Sequence, residues 1–222
     1  MQIQSDTDLI AFQNWTLRVR PAAEGAPRLL LLIHGWTGDE NSMWVFTRNL
    51  PRDFWMIAPR APYAAKPAGY SWRGSPEPRS GPPRLEDFRV SAEALIAMVD
   101  AYAAQNQIDA LQFDVMGFSQ GAALTSVIAL LYPERIRCAA ALSGFVPAGA
   151  ESWIEKRPLN GKPIFVAHGT LDEMVNIEYA RQSVAMLERA GAKVTFCEDE
   201  VGHKVSANCM RGLEQFFASL RR

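Results

Sequence analysis

"DVMGFSQGAALTSVIALLYPERI", Asp114 to Ile136, decides how the rest of the chain is read. It opens inside an apolar run, sets Ser119 between Gly117 and Gly121, and continues straight into a helix-forming segment. A strand that breaks this abruptly into a helix forces the residue at the corner into strained backbone angles. Glycines two residues to either side meet a steric need, because side chains there would collide with neighbouring backbone. The helix that starts beneath the serine offers free N–H groups and positive potential to an anion forming there. GxSxG alone arises by accident in roughly 7% of chains of this length, so its meaning depends on its surroundings. The competing reading is that Ser119 merely caps the helix.

Working outward, short apolar runs alternate with longer segments of helical period. The predicted strands are Arg28–His34, Phe54–Pro59, Phe113–Phe118, Cys138–Gly144, Pro163–Gly169 and Lys193–Glu198. They are apolar nearly throughout, as strands covered on both faces must be. Trp15–Arg20 alternates apolar with polar residues and is expected at a sheet edge. Between the strands, "RLEDFRVSAEALIAMVDAYAAQ" places Leu85, Phe88, Ala92, Leu95, Ile96 and Val99 on one stripe. "QGAALTSVIALLYPE" is apolar almost all round and is expected to pack deeply. "IEYARQSVAMLERAG" ends in Gly191, a suitable residue just past a helix, and "SANCMRGLEQFFASLRR" closes the chain with Arg221 and Arg222 near its negative dipole end.

This order predicts a single α/β domain over residues 1–222, built on an open, mostly parallel, doubly wound sheet with right-handed crossovers. Ligands of such sheets sit beyond the carboxyl ends of the strands. Residues 60–84 break the pattern, being crowded with Pro and Gly and carrying Tyr63, Tyr70 and Trp72. They read either as a surface loop whose aromatics cover the core edge or as a wall of the substrate pocket.

Composition excludes several classes of function. Of 222 residues, 23 are Lys or Arg and 24 Asp or Glu, so a nucleic-acid partner has no electrostatic footprint. The arginines at 73, 79 and 84 are interleaved with Glu77, Glu86 and Asp87, which reads as a solvated mixed-charge surface. No run reaches the ~18 apolar residues of a membrane span, and the opening residues lack the basic and apolar blocks of a secretory signal. Cys138, Cys197 and Cys209 are widely spaced without a CxxC pair, so reduced thiols in a cytoplasmic protein are expected. The chain is expected to act as a monomer or weak homodimer.

A serine hydroxyl needs a base, and the base needs an orienter. Of three histidines, only His203 follows both Ser119 and a well-placed acid in the order Ser, Asp, His that this topology requires. His34 and His168, in "IHG" and "AHG", are expected to tie down the loops after their strands. Asp172 in "AHGTLDEMV" falls just beyond a strand end, where an orienting carboxylate belongs, although it could simply cap the next helix. An oxyanion hole would take backbone N–H groups from Gln120 and from the "HGWTGDE" loop, at Trp36 rather than Thr37. Trp36, Trp72, Phe145 and Val146 are candidates to line the pocket, core packing being the alternative for Phe145 and Val146. No HExxH spacing or acidic cluster suggests a metal. A base of this kind predicts a rate that falls in acid as the imidazole takes up a proton.

Together, "LLIHGWTGDE", "GFSQGAAL", "AALSGFVP", "AHGTLDEMV" and "VGHKVS" resemble the phospholipase/carboxylesterase family, which includes the acyl-protein thioesterases. The resemblance runs from about Leu29 to Phe216 with the motifs in family order. It implies an α/β-hydrolase fold without a separate cap domain and cofactor-free hydrolysis of carboxylic esters or thioesters of small molecules. It also implies Ser119, Asp172 and His203 as triad, with Trp36 and Gln120 at the oxyanion. The chain departs from the family at Ala122, where a second glycine is usual, and at Asn176, where a proline is common. "GYSWRGSPEP" matches the corresponding loop only loosely. The rival expectations are a peptidase, a dienelactone-hydrolase-like enzyme, which would use Cys where Ser119 stands, or a non-catalytic binder of a small ligand.

Overall fold

In the alternating geometry of a strand, the unbroken apolar run of Leu29–Ile33 in the strand Arg28–Ile33 must bury side chains on both faces. Leu29, Leu31 and Ile33 enter one core and Leu30 and Leu32 another, and all five are fully buried. The computed structural model describes residues 6–23, 25–74 and 82–220. It places this strand, β3, inside an eight-stranded sheet in the order β1-β2-β4-β3-β7-β8-β9-β10. The strands are β1 (Asp8–Phe12), β2 (Trp15–Arg20), β3 (Arg28–Ile33), β4 (Phe54–Pro59), β7 (Phe113–Phe118), β8 (Ile136–Leu142), β9 (Pro163–Gly169) and β10 (Lys193–Asp199). From β4 to β10 every pairing is parallel, whereas β1 and β2 are antiparallel additions. A two-stranded hairpin, β5 (Tyr63–Ala64) and β6 (Tyr70–Ser71), lies within the Pro-rich segment.

Helices cover both faces. Helix α1 (Glu86–Asn106), α2 (Gln120–Leu131), the short α3 (Glu151–Ile154) and α4 (Ile177–Arg189) contribute to the first core. The 3₁₀ turn Ser42–Phe46 and α5 (Ala207–Ser219) close the second. Every residue of α2 from Gly121 to Leu130 is buried, as its all-round apolar character requires.

The loop at 60–84 contains the short hairpin β5 and β6, while residues 75–81 lie outside the described residues, as do Arg221 and Arg222. Two expectations are corrected. Trp15–Arg20 is not an edge strand: β1 pairs outside it, and the mostly exposed side chains of Asp8–Phe12 give that strand little apolar pattern to read. The three cysteines are not all reduced, because Cys197 on β10 and Cys209 in the first turn of α5 form a disulfide, leaving Cys138 free and buried. Their separation of twelve residues carries no spacing signature; docking of α5 on the sheet brings them together.

Among the described residues no helix is long and apolar enough to cross a membrane.

Candidate active site

The loops following β3, β7, β8, β9 and β10 all leave the same end of the sheet, where the parallel strands terminate. Ser119 stands between β7 and α2 with φ 55° and ψ −115°, a conformation that costs a non-glycine residue about 1–3 kcal/mol. The flanking glycines permit this corner. A Cβ on Gly117 would lie 2.1 Å from the Gly121 carbonyl oxygen, and one on Gly121 would lie 2.1 Å from that of Ile33. The Ser119 side chain makes no capping bond to α2. Its Oγ instead lies 2.9 Å from His203 Nε2.

The imidazole is held from its other nitrogen. His203 Nδ1 is 2.7 Å from Asp172 Oδ2, and the Phe118 ring packs against it with centroids 5.1 Å apart. Asp172 is buried, and its Oδ1 accepts the N–H groups of Met174 and Val175, both at 2.9 Å. It is therefore not the cap of α4, a position filled by Asn176, whose side chain accepts from Glu178 N. Asn176 thus does its own work where the family commonly has proline.

His168 is the loop anchor expected, bonded to Val175 in the loop after β9, and it also lies against this cluster. Its Nε2 is 2.7 Å from the Val175 carbonyl and 3.3 Å from Asp172 Oδ2. The carbonyl can only accept, so the tautomer carries hydrogen on Nε2. Three N–H groups, from Met174, Val175 and His203, thus converge on the carboxylate, and the His168 ring lies beside it. The four-residue spacing of His168 and Asp172 around a strand end was the available signal.

At the opposite side of Ser119, Gly35 packs so closely that a Cβ there would lie 3.3 Å from Ser119 Cβ. The Thr37 N–H donates to the Tyr70 carbonyl at 3.0 Å, whereas no described residue accepts from Trp36 N or Gln120 N. His34 is the loop anchor expected: Nδ1 donates to the Gly35 carbonyl and Nε2 accepts from Ala61 N. Burial lowers its pKa, keeping it in the form able to accept.

Trp72 requires a correction. Its side chain is fully buried, with Nε1 donating to the His34 carbonyl at 2.8 Å. It lies under the loop and does not line a pocket. Its backbone N–H and the Ser71 hydroxyl engage the Gln120 side chain, so the hairpin is bolted to the first residue of α2. Trp36, by contrast, is half exposed at 53%. Phe145 and Val146 do line a cavity of about 460 Å³, together with Pro82, Pro83, Met174 and Tyr179. Gly144, which precedes Phe145, packs against the corner at Ser119: a Cβ on it would sit 2.9 Å from the Ser119 carbonyl oxygen. Met174 and Tyr179, at 68% and 53% exposure, were missed, because in "EMVNIEYAR" they stand among other apolar residues and nothing in their spacing sets them apart.

The "HGWTGDE" loop is fixed by a buried carboxylate. Glu40 receives two hydrogen bonds from Arg60, at 2.7 and 2.8 Å. Burial pushes the Glu40 carboxyl up, but the Arg60 bonds and charge outweigh it and the net pKa is lowered. A lowered folded value means stabilisation present above the ordinary glutamate range and lost as pH falls through the folded value. Glu40→Gln is therefore expected to lose about 1–3 kcal/mol at neutral pH. Urea unfolding of both proteins should show that gap closing in acid.

Comparison with known proteins adds a sequence-wide likeness. The sequence model of a family described as Phospholipase/Carboxylesterase matches residues 15–220. Acyl-protein thioesterase 1 of Debaryomyces hansenii is 28% identical over 199 residues, spanning 80% of this chain and 83% of that protein. Carboxylesterase SOBER1 of Arabidopsis thaliana has a crystal structure with a TM-score of 0.73 and 25% identity, covering 87% of this chain and 99% of that one. A carboxylesterase from Mesorhizobium loti superposes with a TM-score of 0.80 at 22% identity, over 96% and 99% of the two chains, a likeness of fold.

Proposed function

Because the chain belongs to the phospholipase/carboxylesterase family of α/β-hydrolases, we propose that it is a serine hydrolase that cleaves carboxylic esters or thioesters through an acyl-enzyme on Ser119. One observation carries the reading: the continuous path from a strained Ser119 through His203 to Asp172, at 2.9 and 2.7 Å. Strain at a serine that caps nothing is otherwise without purpose.

In this mechanism His203 Nε2 takes the Ser119 proton as Oγ attacks the carbonyl carbon, and Asp172 stabilises the imidazolium that results. The oxyanion accepts hydrogen bonds from Trp36 N and Gln120 N, donors that no described residue engages. Loss of one such donor costs on the order of 3–4 kcal/mol in the transition state. The imidazolium then protonates the departing alkoxide or thiolate. Water, activated by His203, attacks the acyl-enzyme carbonyl and releases the acid with Ser119 restored.

The cavity lined by Phe145, Val146, Met174 and Tyr179 is the proposed acyl site; Val175, which donates to Asp172, belongs to the same lining. Pro82 and Pro83 bring the described end of residues 60–84 into its wall. A volume of about 460 Å³ falls within the range of small-ligand sites. The thioesterase relative of Debaryomyces hansenii supports including thioesters. A cytoplasmic location is also proposed; cell fractionation followed by fluorophosphonate labelling of each fraction checks it.

A fluorophosphonate should label the intact protein at Ser119, located by peptide mass. A series of p-nitrophenyl esters and acyl thioesters from two to sixteen carbons (a range chosen for the assay, on the order of a small-ligand site) should show turnover with a chain-length optimum. Absence of both labelling and turnover in folded protein overturns the reading; turnover of peptides alone replaces it with a peptidase.

A further inference from the structure

His203 stands midway between two cysteines that are joined to each other. Cys197 lies six residues before it and Cys209 six residues after, and the disulfide closes that separation of twelve. The anchors are of different kinds. Cys197 belongs to β10, in register with Ala167 of β9. Cys209 lies in the first turn of α5, its N–H bonded to the Ser206 cap.

The residues between, 200–206, form neither strand nor helix. Leu171 N bonds to the Val201 carbonyl, and Lys204 N bonds to that of Gly202 within the loop. Among the described residues no hydrogen bond holds the His203 backbone. The imidazole is positioned by its own contacts to Ser119, Asp172 and Phe118 and by the path of the loop between β10 and α5.

We propose that the Cys197–Cys209 disulfide is a positioning element for His203, so that hydrolysis by this chain is sensitive to thiol reductants. The proposal rests on His203 being the general base. The bond shortens the free path between strand and helix and thereby limits where the loop can carry the imidazole. Without it, the far part of α5 still docks through Leu213, Phe216 and Phe217, but the first turn and the loop can move together. A displacement of about 1 Å in a reacting group can cost up to ~100-fold in rate.

A dithiol supplies the chemistry. One thiolate of dithiothreitol attacks a sulfur of the bond, giving a mixed disulfide and one cysteine thiolate. Its second thiol then closes the cyclic disulfide and releases the other cysteine, so two electrons and two protons pass to Cys197 and Cys209. Cys197 is only partly buried and offers the point of attack. Cys138 does not confuse the readout, because burial pushes its thiol well above the ordinary range and it donates to Asp114.

The test compares air-oxidised protein, dithiothreitol-reduced protein and the Cys197→Ala/Cys209→Ala variant on one p-nitrophenyl ester, with circular dichroism at the assay temperature. Mass after alkylation counts the thiols. The expected result is a roughly tenfold fall in kcat with KM within about twofold on reduction. The double variant should match the reduced protein and ignore dithiothreitol. Unchanged kcat after demonstrated cleavage overturns the proposal, as do free thiols at 197 and 209 in the oxidised sample. Loss of the circular dichroism signal on reduction also overturns it, making the bond a folding requirement rather than a positioning one. Oxidised protein with neither turnover nor fluorophosphonate labelling is a separate failure, overturning the esterase reading and the role of the bond with it.

Discussion

Ser119→Ala is expected to lower kcat by about five to six orders of magnitude while KM stays within a few fold. Removing Oγ removes the atom that forms the acyl bond, and no neighbouring nucleophile can replace it. Residual turnover over water would come from the two N–H donors and from substrate binding. The variant should also be folded. The backbone corner at residue 119 is set by close contact of Gly117 with Gly121 and of Gly121 with Ile33, and alanine tolerates that corner about as well as serine. Steady-state hydrolysis and fluorophosphonate adduct mass check it together. Retention of even a tenth of the activity would move the chemistry to another residue.

Asp172→Asn is expected to cost about 10⁴-fold in kcat, and the surroundings dictate why. Oδ1 of residue 172 faces two backbone donors, Met174 N and Val175 N. An asparagine must turn its carbonyl oxygen toward them, which places its NH₂ at the position of Oδ2. That group then meets His203 Nδ1, 2.7 Å away. A donor in that place needs an acceptor opposite it, so His203 is driven to the tautomer with hydrogen on Nε2. In that form it cannot accept the Ser119 proton. Melting temperature and kcat measured side by side separate this effect from unfolding; a folded variant within tenfold of wild type would show that Asp172 does not orient the base.

Most of the architecture was legible because strand and helix periods are local. Arg28–Ile33, Phe54–Pro59, Phe113–Phe118 and Pro163–Gly169 have boundaries at or within one residue of those read from apolar patterning. β1 escaped because its outward face is solvent-exposed and its sequence, DLIAF, is too short to show alternation. The meeting of Ser119, His203 and Asp172 followed from chain order combined with the rule that parallel strands deliver their loops to one edge. Trp72 was misplaced for a different reason. An aromatic in a Pro-rich loop can face either side, and its burial depends on an indole N–H finding the His34 carbonyl.

By itself, then, the sequence determined the parallel α/β sheet, the sharp turn at Ser119 and the three residues that would have to meet, since periodicity, steric freedom and connection order are properties of the chain. Packing in three dimensions set the rest: His168 lies beside the Asp172 carboxylate, Phe145 and Tyr179 line a cavity with Met174, and Cys197 reaches Cys209. Each of these depends on how one element docks against another, which long-range packing decides and residue spacing does not encode.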